Sequence, residues 1–143
     1  MLVKDIMSRD IVSVSSNESI DRAAQMMKQF DVGSIPVCSE QKLVGIVTDR
    51  DITINSVAAG KNPTEQKISE VMTSNPVTGN PNMDIHDAAK IMSKEQIRRL
   101  PIIDNNSLVG IVSLGDISVE PALQDNAEEA LRHISEQGTN NRY

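Results

Sequence analysis

The stretch G-I-V-T-D-R-D-I-T, from Gly45 to Thr53, sets two carboxylates two residues apart at the end of an apolar run. Asp49 and Asp51 in a D-x-D-x-T spacing suit phosphoryl transfer, because a carboxylate can carry a covalent phosphoryl group and both can hold Mg2+. A second stretch, G-I-V-S-L-G-D from Gly110 to Asp116, tests that reading. It keeps the glycine, the hydroxyl and the last carboxylate, but Leu114 stands where Asp49 stood. The shared feature is therefore a hydroxyl and a carboxylate three residues apart, Thr48 with Asp51 and Ser113 with Asp116. A phosphatase would also need a lysine and further carboxylates on later strands of a larger sheet, for which 143 residues leave no room. No catalytic residue is assigned, and the chain reads as non-enzymatic.

The shared pair suits binding. An ionised Asp only accepts hydrogen bonds, and its two oxygens match the two vicinal hydroxyls of a ribose. The Thr48 or Ser113 hydroxyl both donates and accepts, so it can serve a ribose or phosphate oxygen. Gly45 and Gly110 allow backbone to approach where a Cβ would intrude. The carboxylates could equally cap the helices that follow, a role compatible with binding.

The elements that position these pairs form an internal repeat. At an offset of 65 residues Met7 meets Met72, Val12 meets Val77 and Pro36 meets Pro101, while Leu43–Val47 meets Leu108–Val112 without a gap. Each copy has an extended piece around Val12 or Val77, then a helix with apolar residues at i, i+3, i+4 and i+7. These are Ile20, Ala23, Ala24 and Met27, then Ile85, Ala88, Ala89 and Met92. Ser19 and Asp84 stand at the N-cap positions. A hairpin follows, I-P-V or L-P-I-I, a polar turn (S-E-Q-K or D-N-N-S), and L-V-G-I-V. A further helix begins after Asp51 or Asp116. The order is β-α-β-β-α twice, an α/β (α+β) chain with small sheets flanked by helices. Residues 1–60 form the first motif, 61–66 the linker after a helix stop at Gly60, 67–121 the second motif, and 122–143 a last helix and tail. Ala127, Ala130, Leu131 and Ile134 mark the apolar face of that helix, and the G-T-N-N-R-Y end is expected to fray.

Composition excludes several functions. Net charge is −6 and the only aromatic residues are Phe30 and Tyr143, so nucleic-acid binding lacks both clustered cations and stacking platforms. A flat ligand would be gripped by aliphatic side chains and backbone. No apolar run reaches the ~18 residues of a membrane span, and the N-terminus has no signal-peptide pattern, so a cytoplasmic protein without membrane contact is expected. Cys38, the single cysteine, is expected to be a buried strand residue. With one Cys and two isolated His, no metal site is expected.

The repeated h-P and G-h-h-[ST]-x-x-D motifs resemble a tandem pair of CBS motifs, the module often called a Bateman domain, over nearly all of residues 1–120. The resemblance implies two motifs related by a pseudo-twofold axis with their sheets packed together. It also implies a regulatory module that binds an adenosine-containing ligand: AMP, ADP or ATP, with S-adenosylmethionine or NAD as alternatives and no required cofactor. The h-P region of one copy is expected to face the hydroxyl–Asp turn of the other. One cleft would join Val12, Val32, Gly33, Ser34, Ile35 and Pro36 with Ser113 and Asp116. The other would join Thr73, Val77, Ile97, Arg98, Arg99, Leu100 and Pro101 with Thr48, Arg50 and Asp51. Three arginines in the second cleft suit phosphate. The common family arrangement is a homodimer, with the helices bearing Met26, Met27 and Met92 as contact surfaces, unless Met27 and Met92 belong to the core. The competing reading is a ligand-free module for protein–protein interaction.

Overall fold

The computed structural model describes residues 1–136 and Tyr143. The chain forms α1 (Val3–Ile6), β1 (Val14–Ser15), α2 (Ile20–Phe30), β2 (Ser34–Ser39), β3 (Lys42–Thr48) and α3 (Asp49–Ile52), which continues as a π-helical turn over Thr53–Val57. After a 3-10 turn at Ile68–Glu70 come β4 (Thr73–Ser74), α4 (Ile85–Glu95), β5 (Arg99–Asp104), β6 (Ser107–Ser113) and α5 (Leu114–Ser118). A second 3-10 turn, Pro121–Leu123, leads into α6 (Gln124–Ser135). The expected α/β class with small sheets and flanking helices is what forms. No helix among the described residues is long and apolar enough to cross a membrane.

The compact units do not coincide with the two sequence copies. One unit is residues 12–76; the other joins residues 1–11 to 77–143. Each unit therefore contains the leading segment of the opposite copy. In the 12–76 unit the sheet order is β1-β2-β3-β4, with β1 parallel to β2 and the rest antiparallel. β4 belongs to the second copy, and its Thr73 lies opposite Ile46. In the other unit β5 and β6 pair, Gly79 bridges Ile102 in parallel, and Ser8 bridges Ile111. Shifted by the repeat, these are the same pairings.

The hairpins turn on two residues with positive φ, Glu40 (51°) and Gln41 (71°), then Asn105 (49°) and Asn106 (65°). Two left-handed residues make a turn whose twist matches that of the strands, and Asn tolerates it better than Glu or Gln. The core of the 12–76 unit gathers Val14, Ile20, Ala23, Met27, Ile35, Val37 and Val47 with Ile68 and Val71 of the incoming segment. In the other unit Val3 plays the part of Ile68 and is likewise fully buried. Each such side chain stabilises its unit by about 1.5–3 kcal/mol.

Several sequence expectations are corrected. Asp84 caps α4 by accepting the His86 N–H at 2.8 Å, but Ser19 makes no side-chain cap to α2. Its hydroxyl goes to the Asp21 carboxylate, while linker carbonyls take the open helix amides: Gln66 from Ile20 at 3.0 Å and Pro63 from Asp21 at 3.1 Å. Ala24 is exposed although its counterpart Ala89 is buried, because α6 packs on α4 and the described residues hold no equivalent helix over α2. On α6, Ala127, Ala130 and Ile134 are buried, whereas Leu131 is 48% exposed. Met27 and Met92 are buried in the core and Met26 packs against it, so the exposed apolar residues are others, among them Phe30, Ile54 and Val57. Cys38 lies on β2 but is only half-buried; burial pushes its thiol pKa up, and a hydrogen bond with Ser13 partly offsets this. The expected fraying concerned residues 138–143. Residues 137–142 lie outside the described residues, while Tyr143 is buried.

Gly45 and Gly110 have a packing role that explains their place in the motif. A Cβ on Gly45 would come within 2.5 Å of Met72 Sδ and 2.8 Å of the Thr73 carbonyl oxygen. On Gly110 it would meet Met7 Sδ at 2.5 Å and the Ser8 carbonyl at 3.1 Å. The close approach is made by the incoming segment. A Met side chain can yield and a backbone carbonyl in a sheet cannot, so Gly45→Ala and Gly110→Ala should each lose about 1–3 kcal/mol of stability, Gly45→Ala the more. Urea denaturation of the two variants checks both the loss and its order.

Candidate functional site

The hydroxyl–carboxylate pairs sit where β3 enters α3 and β6 enters α5. Thr48 and Ser113 are the N-cap residues, with extended backbone at the strand end. The Thr48 hydroxyl accepts the Asp51 N–H at 3.1 Å and Asp51 Oδ2 accepts the Thr48 N–H at 2.9 Å. Ser113 and Asp116 repeat this at 3.0 and 2.9 Å. These reciprocal bonds are capping boxes, so the capping role weighed for both carboxylates is present. One oxygen of each carboxylate is engaged, and Oδ1 remains for another donor. All four residues are half-buried.

The h-P strand of each copy lies against the hydroxyl–Asp turn of the same copy. Ser34 pairs with Thr48 and Arg99 with Ser113 across the hairpins. The Gly33 carbonyl accepts the Asp49 N–H at 2.9 Å, and the Arg98 carbonyl accepts the Leu114 N–H at 2.8 Å. Before each hairpin the helix ends in the left-handed region, at Asp31 (φ 53°) and Gln96 (φ 57°). The next amides then turn back, Val32 N–H to the Met27 carbonyl and Ile97 N–H to that of Met92. This geometry delivers Val32–Ser34 and Ile97–Arg99 to the hairpin mouth. It brings same-copy elements together, a proximity the sequence reading did not use.

The expected residues divide by exposure. Ile35, Ile97 and Leu100 are fully buried and Pro36 and Pro101 are buried, so their side chains belong to the core. Val12, Gly33, Ser34, Thr73, Val77 and Arg99 are half-buried; Val32, Arg50 and Arg98 are exposed. Arg50 belongs to the 12–76 unit and the Arg98–Arg99 pair to the other.

The two mouths differ in charge. In the first copy the Asp49 carboxylate lies over Gly33, where a Cβ would approach its Oδ2 to 3.0 Å. In the second copy those positions are Leu114 and Arg98. A cavity of about 630 Å3 opens there, lined by Arg98, Arg99, Ser113, Leu114, Gly115 and Ser118, and on α6 by Gln124, Ala127, Glu128 and Leu131. Its size is that of a small-molecule site. Two guanidinium side chains against one carboxylate, Glu128, favour an anion. The α6 residues were not expected at a site, since α6 has no counterpart in the repeat and its pattern signalled only a packed helix. Tyr143 was also missed: Val77 N–H donates to its phenol oxygen and Arg98 N–H to its backbone oxygen, each at 2.9 Å.

The CBS domain family matches residues 3–56 and again 68–121, and the chain belongs to that family. It is 47% identical to the CBS domain-containing protein YhcV of Bacillus subtilis over 135 residues, covering 94% of this chain and 96% of the relative. Its fold is similar to that of Hypoxic Response Protein I with two coordinated zinc ions (TM-score 0.76, 34% identity, 84% of this chain and 98% of that one). It is also similar to the CBS domain pair of protein MJ0100 in complex with 5-methylthioadenosine and S-adenosyl-L-methionine (TM-score 0.73, 37% identity, 82% and 93% covered).

If the capping boxes carry only the helix starts, Asp51→Ala and Asp116→Ala should each cost about 1 kcal/mol and leave the fold intact. Chemical denaturation with circular dichroism measures this, and a loss of several kcal/mol in either would assign that carboxylate a larger structural part.

Proposed function

We propose that the protein is a non-catalytic regulatory module that binds a phosphorylated adenosine, of the AMP, ADP or ATP class, at the mouth of the second hairpin. The observation that carries this reading is that Arg98, Arg99 and Ser113 line one cavity of about 630 Å3, with Asp116 bonded to Ser113 next to that lining. The guanidinium groups would hold phosphate in forked, charge-assisted hydrogen bonds, and Asp116 Oδ1 would accept from a ribose hydroxyl. The adenosine compounds bound by the MJ0100 pair support the ligand class. The first copy, with Gly33, Ser34 and the Asp49 carboxylate at the matching place, would take a less anionic ligand or bind more weakly.

The resemblance groups Arg98 and Arg99 with Asp51, whereas same-copy adjacency favours Asp116. The two are separable by mutation. AMP should raise the melting temperature more than adenosine does, with the difference shrinking as salt rises. At a hundredfold excess over Kd the gain should be about 2.7 kcal/mol. Arg98→Ala/Arg99→Ala should erase the preference for AMP. Asp116→Ala should weaken AMP binding by roughly 1.5–3 kcal/mol, and Asp51→Ala should do so much less. The reverse order would return the site to the opposite-copy grouping. Calorimetry showing no binding of any adenosine compound would favour the ligand-free interaction module instead.

A homodimer is the proposed assembly. Phe30 (46%), Ile54 (47%) and Val57 (65%) are large apolar side chains exposed on one unit, and a twofold contact would bury them. Light scattering should report a dimer at tens of micromolar, and Val57→Asp should shift it toward monomer; a wild-type monomer would reject the assembly.

A further inference from the structure

We infer that Tyr143 is an internal ligand of the arginine-bearing site, seated on backbone donors that an incoming nucleotide needs. The inference rests on the nucleotide reading above. Tyr143 is the single tyrosine of a chain without tryptophan. It is 6% exposed, and both of its oxygens are anchored within the expected site: the phenol oxygen by Val77 N–H and the backbone oxygen by Arg98 N–H. Both partners are among the positions that the resemblance to CBS motifs implies for a ligand, with no reference to Tyr143. Arg98 links the two features directly, since its side chain lines the cavity while its amide holds Tyr143.

Chemistry makes the contact a competition. A backbone amide has one proton to donate, so a ligand that uses the Val77 or Arg98 N–H must take it from Tyr143. A phenol presents what a nucleobase presents, a flat apolar ring with an acceptor at its edge. A chain otherwise so poor in aromatic residues would thus carry its one tyrosine next to the cavity lining, joined to it through Arg98. No described residue takes the equivalent amides of Val12 and Gly33 in the first copy, so the device would be confined to one site. A competitor seated in about nine molecules of ten weakens apparent affinity about tenfold. Nucleotide binding and Tyr143 release would then be one equilibrium, the two-state element that a sensor requires.

Tyrosine emission reads this directly in the full chain, because one residue supplies all of it. Acrylamide should quench the ligand-free protein weakly and the AMP-saturated protein strongly. By calorimetry Tyr143→Ala should bind AMP about tenfold more tightly than wild type, and Tyr143→Phe, which loses only the phenol oxygen, should fall between. The Phe variant keeps the ring, so it guards against a fold defect in the Ala variant. If AMP binds all three proteins equally and Tyr143 stays shielded, the internal-ligand inference is wrong while the nucleotide reading stands. If AMP binds none of them, the nucleotide reading fails and Tyr143 is only a packing residue.

Discussion

Everything in this fold depends on an exchange of leading segments. Residues 1–11 complete the unit built from the second copy, and the segment around Ile68–Ser74 completes the unit built from the first. The hydrogen bonds that fasten them repeat at the sequence period. Val3 N–H goes to the Met83 carbonyl and Ile68 N–H to that of Glu18, both at 2.9 Å. Ile85 N–H goes to the Met1 carbonyl and Ile20 N–H to that of Gln66, both at 3.0 Å. The donors at Ile20 and Ile85 are the first residues of α2 and α4, whose amides have no partner within the helix. α4 is therefore started by a carbonyl of the first copy's leading segment and α2 by carbonyls of the linker that runs into the second copy, and neither copy by itself makes up one of the compact units.

The same exchange accounts for the glycine in each G-h-h-[ST]-x-x-D motif. The incoming methionine and the backbone after it cross the strand where a Cβ would stand. Past that crossing the next three residues carry the strand to its end, where the hydroxyl becomes a helix N-cap. The motif thus has two halves with different duties. Its glycine serves assembly of the sheet; its hydroxyl and carboxylate shape the hairpin mouth and leave one carboxylate oxygen outside the capping box.

What was legible in the sequence was whatever the repeat states twice. The α2 and α4 periodicity, the hairpins and the hydroxyl–Asp pairs depend on local spacing, and two copies in register reinforce each other. What was not legible depends on distant segments. Nothing near Ser19 signals that linker carbonyls will satisfy α2, which leaves its hydroxyl to Asp21. Ala24 and Ala89 occupy equivalent positions, and only the presence of α6 separates their fates. The β4 pairing with β3 joins residues far apart in sequence, so a repeat boundary drawn by periodicity misses it. Tyr143 lies outside the repeat altogether, where no second copy could indicate its place.

The inequivalence of the two mouths follows from how the scaffold is bonded. At two positions where the copies diverge, Gly33 against Arg98 and Asp49 against Leu114, a hydrogen bond runs backbone to backbone. Its length hardly changes, 2.9 Å in one copy and 2.8 Å in the other. That backbone bond needs no side chain at either position, so it persists when a glycine is exchanged for an arginine and a carboxylate for a leucine, although Asp49 adds a bond of its own by accepting the Arg50 N–H at 2.8 Å. The hydroxyl and carboxylate of the capping box have no such freedom, because both bonds of the box run through them. A duplicated fold of this kind holds the hydroxyl–carboxylate pair constant in both copies while the charge around it varies. That division leaves Arg98 and Arg99 at one mouth and the Asp49 carboxylate at the other, on the same backbone.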